Sequence, residues 1–297
     1  MATEERRHDP APGGAPTALA PGLYLVATPI GNARDITLRA LDVLAAADAL
    51  AAEDTRETLK LMEMHGIARA GRPMIAYHDR NGAAQRPTIA RWLEEGRAVA
   101  YCSDAGTPLV ADPGYRLVEM AAAAGHAVTA IPGPSALLAA LSLAALPTDR
   151  FMFAGFPPPK KGARRRFFET MAAVPATLVF FESPHRVVES LADMAAVLGP
   201  ERPAALAREL TKRFETVRRD SLGALAEALA AEGAPRGEIV LLAGPPVAAA
   251  PGEDVLEAAL EVALETLSTR DAAAEVAAAL GLPRKAVYAR ALALSKR

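Results

Sequence analysis

The stretch V-A-Y-C-S-D-A-G-T-P-L-V-A-D, Val99–Asp112, decides how this chain folds. Ala98–Cys102 is a short apolar run and reads as a buried strand. Ser103-Asp104-Ala105-Gly106-Thr107-Pro108 stops it, so an acidic side chain, a glycine and a hydroxyl sit together at a strand's carboxyl end. In open α/β sheets that is where ligands bind. Gly106 permits close backbone approach or a positive φ, and Asp104 is placed to accept from a ligand hydroxyl or ammonium. A plain β-to-α turn uses the same residue types, so this segment alone leaves a ligand loop and a turn both open.

Two further segments favour a ligand loop. Leu23–Ile30, L-Y-L-V-A-T-P-I, is an apolar run followed by Gly31-Asn32, and Val128–Ile131 is ended by Pro132-Gly133-Pro134-Ser135. Three strand ends rich in Gly, Pro and small hydroxyl residues are compatible with one cleft. Neither a P-loop nor a GxGxxG fingerprint is present. Ala49–Ala52 is a strand ending in Glu53-Asp54-Thr55-Arg56, and Met74–Tyr77 one ending in His78-Asp79-Arg80-Asn81-Gly82. Between the strands lie helix patterns: Asp35 to about Ala47 with Asp35 or Thr37 as cap, Thr55 to His65, Gln85–Glu95, and Asp112-Pro113-Gly114 to Ala124 with Gly125 as stop. Strand and helix alternating through short connections predict an α/β fold with a largely parallel sheet.

Ser135–Ala145 is an apolar helix, after which the composition changes at Phe151-Met152-Phe153. The rest reads as a second, mixed α/β domain: strands at Ala176–Phe181, Ala204–Arg208, Phe214–Arg219 and Glu238–Ala243, with helices over Pro184–Leu198 and Ser221–Ala231. The middle two strands pair around a turn at Leu210–Lys212. Pro245–Glu253 is a linker, and Asp254–Leu267, Thr269–Leu280 and Pro283–Leu294 form a helix-turn-helix-like module. The expected organisation is a disordered tail over 1–21, α/β domains over 22–131 and 132–245, and a linker with helical module over 246–297.

The net charge of −2 gives no global argument for nucleic acid, which must come from local patches. Two exist. Lys160, Lys161, Arg164, Arg165 and Arg166 put five cations in seven residues, and Arg202, Arg208, Lys212, Arg213, Arg218 and Arg219 form a second group. From Val276 onward Arg284, Lys285, Arg290, Lys296 and Arg297 meet no acidic residue. On one face such groups track phosphates; apart, they are solvated surface charge. The single cysteine, Cys102, excludes an intramolecular disulfide and reads as a buried, inert thiol. The five histidines show no metal-ligand spacing, and no GxSxG is present. No signal peptide or membrane span is apparent, which makes a cytoplasmic protein the expectation. Residue chemistry alone leaves a transferase, a hydrolase and a binding protein open.

Nine segments carry a resemblance: LYLVATPIGNARDITLRALDVL (23–44), AAEDTRET (51–58), HDRN (78–81), SDAGTPLVADPGY (103–115), PGPSA (132–136), LPTDRFMFAGFPP (146–158), FFESPHR (180–186), ARELTK (207–212) and RGEIVLL (236–242). In this order they resemble the tetrapyrrole methylase superfamily, and within it the bacterial ribosomal RNA small subunit methyltransferase I family. The resemblance implies a two-domain tetrapyrrole-methylase-like α/β fold (two αβα domains) plus a small C-terminal helical module. It implies an S-adenosyl-L-methionine cleft between the domains, a homodimer, and 2′-O-methylation of one decoding-region cytidine of 16S rRNA in the small ribosomal subunit; no metal and no membrane partner are expected, from the histidine spacing and the lack of an apolar span. Tetrapyrrole-making relatives carry GxGxGxP after the first strand, where this chain has Ala27-Thr28-Pro29-Ile30-Gly31-Asn32; that departure favours the RNA branch. A tetrapyrrole methylase and a catalytically inactive RNA-binding assembly factor remain the alternatives.

On this basis the methyl donor is expected at Pro29, Gly31, Asp104, Gly106 and Thr107, with Pro132, Gly133, Pro134 and Ser135 lining the cleft and Phe156, Glu182 and Leu210 closing it. Lys160, Lys161, Arg164, Arg165, Arg166, Arg213, Arg284 and Lys285 are expected to meet RNA. The leaving thioether needs no acid, but the ribose hydroxyl holds its proton at neutral pH. Polar candidates in the family-like stretches are Glu53, Asp54, Arg56, His78, Asp79, Asn81, Glu182, His185, Arg186, Glu209 and Lys212. His78 with Asp79 leads as base because imidazole ordinarily titrates near neutrality, Glu182 and Glu209 are carboxylate alternatives, and Arg56 and Lys212 are expected to position substrate.

Overall fold

The computed structural model describes residues 18–246 and 253–295. The expected tail therefore lies outside the described residues up to position 17, as do linker positions 247–252 and the basic pair Lys296 and Arg297. The described residues up to 246 form one compact unit and those from 253 another.

The first unit holds two five-stranded sheets. The first is built from β1 (Gly22–Val26), β2 (Ala49–Ala52), β3 (Met74–Ala76), β4 (Ala98–Cys102) and β5 (Val128–Ile131), in the order β3-β2-β4-β1-β5. Every pairing in it is parallel. β2 and β4 are buried at every position, which is why they read as unbroken apolar runs rather than alternating ones. Alternation survives in which face each residue feeds. Ala100 and Cys102 pack with Val43, Leu44 and Leu61 on one face, while Val99 and Tyr101 pack with Ile89, Trp92 and Leu117 on the other.

The connecting helices are α1 (Leu38–Ala46), α2 (Thr55–Met64), α3 (Gly82–Glu94) and α4 (Tyr115–Ala123). Of the two cap candidates for α1, Thr37 takes the role by accepting from the Ala40 amide, and Asp35 sits in a short 3-10 turn before it. α3 begins three residues ahead of the expected Gln85, because the turn after β3 leads straight into it at Gly82.

The second sheet uses β6 (Phe151–Phe153), β7 (Thr177–Glu182), β8 (Pro203–Arg208), β9 (Thr216–Ser221) and β10 (Ile239–Ala243), in the order β6-β7-β10-β8-β9. Only β6–β7 is parallel; the remaining pairs are antiparallel. One face carries α6 (Lys161–Glu169), α7 (Val187–Leu198) and α8 (Leu222–Glu232), whose Phe168, Leu191 and Leu225 pack on Phe180, Leu206 and Leu241. The other face is covered by α5 (Ala136–Leu143), capped by Ser135. Its Ala140 and Leu141 meet Val179, Ala205 and Leu242 in a cluster that also takes Ile30 from the loop after β1. Burying a leucine of this kind contributes about 1.5–3 kcal/mol, so Ile30 and α5 tie the two sheets together through the core.

The second unit contains α9 (Glu253–Leu264), α10 (Thr269–Leu280) and α11 (Arg284–Leu294) around Leu260, Val276 and Val287. Ser268 caps α10, and Gly281, in left-handed conformation, ends it. Arg290 pairs with Glu257. Among the described residues no helix is long and apolar enough to cross a membrane.

Candidate active site

A parallel sheet brings all its carboxyl ends to one edge. Thr28, Glu53, His78, Ser103 and Pro132, each just past a strand of the first sheet, therefore rise from the same edge. The loops there are laced together. Thr28 and Gly106 exchange both backbone hydrogen bonds, each 2.9 Å. The Thr28 hydroxyl donates to the Ser103 carbonyl at 3.1 Å, the Ser103 hydroxyl to the Gly106 carbonyl at 3.0 Å, and the Thr107 hydroxyl to the Pro134 carbonyl at 3.0 Å. Gly106 needs its freedom: φ is +84°, and a Cβ would stand 3.3 Å from Ile30 Cγ2. Gly31 meets the second sheet's β8–β9 turn so closely that a Cβ would lie 2.4 Å from Lys212 Cγ. The Asn32 amide donates to Thr211 Oγ1 at 3.2 Å across the same gap.

Between these loops and the second sheet lies a cleft of about 320 Å³. The first sheet supplies Ile30, Gly106, Thr107, Val110 and Asp112, and the second Phe156, Phe181, Glu182, Leu210 and Val240, with Ser135 at the head of α5. Of the residues expected around the methyl donor, Gly106, Thr107, Ser135, Phe156, Glu182 and Leu210 line this cleft. Pro29, Gly31 and Asp104 instead line a depression of about 270 Å³ beside it, with Thr58 and Leu61 of α2. Pro132, Gly133 and Pro134 line neither; they buttress the edge, since Gly133 packs on Ala27 and Pro134 accepts from Thr107.

A further cavity of about 270 Å³ opens on the far side of the β4–α4 loop, lined by Tyr77, His78, Asp79, Arg86, Asp112 and Tyr115 among others. Carboxylates crowd this end of the sheet. Glu53 accepts from the Asp104 amide at 3.2 Å, and Asp104 accepts from the Asp54 amide at 2.8 Å. Burial, with neighbouring negative charges, raises Glu53 and Asp104 above the ordinary carboxylate range. Burial first, then the charges of Glu53 and Asp104, pushes Asp112 up to about 7. Asp112 is absent from the candidates read off the sequence, because Asp before Pro-Gly reads as a turn residue. Among the described residues no group of His, Cys, Asp and Glu is arranged to hold a metal ion. Burial drives the Cys102 thiol up to about 12, which makes it inert as a nucleophile at neutral pH.

The other catalytic candidates separate. Asn81 is a turn device: its Oδ1 accepts from the His78 amide and its Nδ2 donates to the Ala76 carbonyl. Glu182 lines the cleft, but its oxygens already accept from the Ser183 amide, Ser190 Oγ and Arg186; it anchors the start of α7. Lys212 Nζ is committed to Glu209 at 3.0 Å and Glu238 at 2.9 Å. Burial alone would lower its pKa, but those two carboxylates raise it. Arg56 is 86% exposed, outside the cleft, and bound to Asp54, the cap of α2.

Two arginines of the basic groups correct the reading of their runs as phosphate-facing. Arg164 is 1% exposed: its Nε donates to Asp193 at 2.8 Å and its Nη1 to the Pro159 carbonyl at 3.2 Å, inside the α6–α7 packing. A helical run of cations must turn one of them inward, one turn before buried Phe168. Arg202 is likewise buried and donates to the Gly244 and Ala172 carbonyls. Lys160, Lys161 and Arg166 are exposed, and Arg165 is partly so, 4.0 Å from Asp193. Arg213 is exposed over the Phe214 ring, and Arg284 and Lys285 are exposed on the first turn of α11.

Comparison with known proteins bears on this geometry. The family model of tetrapyrrole (corrin/porphyrin) methylases matches residues 22–226, and that of the RsmI C-terminal HTH domain matches residues 249–295. A ribosomal RNA small subunit methyltransferase I from Mesorhizobium japonicum is 51% identical, with 93% of each chain covered. The protein of that name from Pseudomonas aeruginosa is 45% identical over 91% of this chain and 96% of its own. Among solved structures, the cobalamin biosynthetic enzyme cobalt precorrin-4 methyltransferase matches 75% of this chain and 94% of its own with a TM-score of 0.56 at 17% identity. A uroporphyrin-III C-methyltransferase of Thermus thermophilus complexed with S-adenyl homocysteine matches 75% and 97% with a TM-score of 0.50 at 23% identity. At such identities the likeness is one of fold.

Proposed function

The chain belongs to the tetrapyrrole (corrin/porphyrin) methylase family, and from that premise we propose that it is an S-adenosyl-L-methionine-dependent methyltransferase acting on the 16S rRNA of the small ribosomal subunit. The observation that carries the reading is the 51% identity to a ribosomal RNA small subunit methyltransferase I across 93% of both chains. Cytidine 2′-O-methylation in the decoding region, a homodimer and a cytoplasmic location are the finer parts of the same proposal.

The main cleft suits the donor by size and lining. Its walls are apolar at Ile30, Val110, Phe156, Leu210 and Val240, with a few polar groups at Thr107, Ser135 and Glu238, the mixture that small-molecule sites use. Gly106 lets the loop pass close to Ile30, where a Cβ would press. Gly106, Thr107, Ser135, Phe156 and Leu210 would hold the donor, and Pro29, Gly31 and Asp104 would border it. When bound, S-adenosyl-L-methionine supplies an electrophilic methyl carbon on a sulfonium. The protein's task is then to place an acceptor oxygen in line with that carbon and keep water out, which is catalysis by positioning. His78 and Asp79, in the cavity across the β4–α4 loop, are proposed on the acceptor side. Lys212 and Arg56 act at one remove: Lys212 holds the β8–β9 turn against Gly31, and Arg56 braces the Asp54 cap. Lys160, Lys161, Arg165, Arg166, Arg213, Arg284 and Lys285 remain proposed phosphate contacts, since RNA of this kind is recognised by shape and backbone. Cations of α11 suit that role whatever the placement of the second unit.

The test is incubation of the protein with methyl-labelled S-adenosyl-L-methionine and small subunits from a strain lacking the gene. Label should appear in 16S rRNA as 2′-O-methylcytidine. Label in a porphyrinoid instead would assign the tetrapyrrole branch, and subunit binding without label an inactive assembly factor.

A further inference from the structure

We propose that Asp112 is the catalytic base, receiving the proton of the acceptor hydroxyl at the point where an acceptor cavity meets the donor cleft. The inference rests on the methyltransferase reading above and assigns a residue within it.

Three structural observations place the residue. First, Asp112 lines both the main cleft and the cavity of His78, Arg86 and Tyr115. It stands where a methyl donor held in one space and a hydroxyl entering through the other come together. Second, its carboxylate is half-buried and accepts no hydrogen bond from any donor among the described residues. The other carboxylates that line the cleft are already engaged: Glu182 accepts from Ser183, Ser190 and Arg186, and Glu238 accepts from Lys212. A half-buried carboxylate without a donor, at the mouth of two cavities, is free to accept from substrate. Third, the loop that carries it is held in a strained backbone. Leu109 and Ala111 have φ of +72° and +60°, and Gly114 follows at +127°. Non-glycine residues in that region cost of order 1–3 kcal/mol each and cluster at functional sites.

The acceptor cavity has the chemistry of a nucleotide site. Tyr115 is 63% exposed and offers a ring face, with the Arg116 guanidinium 5.5 Å from its centroid. Arg86 and Arg116 line the same space and bring two guanidinium groups to it. An unstacked base on Tyr115 and its phosphates on the arginines would bring a ribose to Asp112, the arrangement single-strand readers use.

The step balances. The acceptor oxygen forms a bond to the methyl carbon, and the carbon–sulfur bond breaks with its electron pair passing to sulfur. The hydroxyl proton passes to Asp112 and from there to water. Burial, Glu53 and Asp104 set the titration of Asp112, and the other charged or titratable groups that line its two cavities are His78, Asp79, Arg86 and Arg116 on the acceptor side and Glu182 and Glu238 across the cleft. Burial and the two nearby carboxylates hold it near neutrality, where a base both exists ionised and takes a proton usefully.

The experiment is single-turnover methylation of small subunits against pH, with wild type, Asp112→Asn, Asp112→Glu and His78→Ala. Donor affinity by calorimetry, subunit affinity by filter binding and thermal unfolding accompany each variant. Asp112→Asn should lower the rate about 10²–10⁴-fold, lose the acid limb of the profile, and keep both affinities and the fold; Asp112→Glu should restore part of the rate with a shifted limb. His78→Ala should lose less and keep the limb. Asp112→Asn with the wild-type profile, or with a loss matched by donor affinity, overturns the assignment, as does an acid limb that vanishes in His78→Ala instead. Should Asp112→Asn unfold, Asp112→Glu decides, because an unmoved limb there overturns the assignment too. Wild type that labels no RNA defeats the functional reading, and this inference with it.

Discussion

The two sheets of the first unit treat charge in opposite ways. At the carboxyl edge of the first sheet, burial with the charges of Glu53 and Asp104 raises Asp112, burial with Asp104 raises Glu53, and Asp112 has no donor among the described residues. Around the second sheet several charges are held in pairs: Arg164 with Asp193, Arg186 with Glu182, Lys212 with Glu209 and Glu238. Ion pairs inside a fold hold elements in register, and breaking one strands its partner. Unpaired carboxylates at a cleft cost stability and are where chemistry is found. The first sheet's edge is therefore read as working surface, and the second sheet's charges as framework that keeps the opposite wall in place.

The largest expected effect tests the framework half. Arg164→Ala should destabilise the protein by about 3–5 kcal/mol, because Asp193, 7% exposed, is left buried without its guanidinium. Denaturant unfolding measures it. A variant of unchanged stability but weakened RNA binding would return Arg164 to the surface cluster and break the contrast.

The next effect belongs to the working edge. Gly106→Ala places a side chain at φ +84° and 3.3 Å from Ile30 Cγ2, a cost of about 1–3 kcal/mol. At this chain length, thermal unfolding should fall by about 2–4 °C for each kcal/mol lost. Donor binding, followed by calorimetry, should weaken as well, since Ile30 and Gly106 are both walls of the cleft. Full donor affinity in a destabilised variant would show that this loop is scaffold only.

Much of this was legible in residue order, and the reason is local. β2 and β4 read as continuous apolar runs because both faces are covered, and Thr37, Ser135 and Ser221 announced helix starts that their side chains do cap. Parallel strands then put every strand-end motif on one edge, so residue order places the loops of Gly106, Thr107 and Ser135 together, while their role toward a donor came from the resemblance and is a proposal. The misses are long-range. Arg164 and Asp193 are 29 positions apart, and nothing in K-K-G-A-R-R-R says which cation turns inward. Asp112 hides for the same reason: its place between two cavities depends on β3, α4 and the second sheet together. Pro29, Gly31 and Asp104 lie at the right edge, but in the neighbouring depression.

A smaller effect separates the exposed cations from the buried one. Replacing Lys160, Lys161 and Arg166 together by alanine, and leaving Arg165 beside Asp193, should shift stability by no more than about 0.5 kcal/mol. Subunit affinity should fall about tenfold at low salt. The slope of log affinity against log salt should become shallower by about 0.7–0.9 for each phosphate no longer neutralised. An unchanged slope makes these residues plain solvated charge.

The smallest expected effect is the sharpest probe of the working edge. Glu53→Gln keeps an oxygen to accept from the Asp104 amide, whose bond to Glu53 is 3.2 Å, but removes one negative charge from beside Asp112. That charge raises the Asp112 pKa, so its removal must lower it, and burial and Asp104 continue to hold it above the ordinary carboxylate range. The active form of a base is the ionised one. The rate is therefore expected to fall as pH drops through about 7 in wild type, following Asp112. In Glu53→Gln the same limb should move to lower pH by a fraction of a unit with the plateau rate nearly kept. Single-turnover profiles of the two proteins, run side by side, measure the displacement. A limb that stays still or moves upward would mean that the carboxylates of this edge do not act on one another through Asp112, and the contrast between an open and a paired set of charges would lose its functional half.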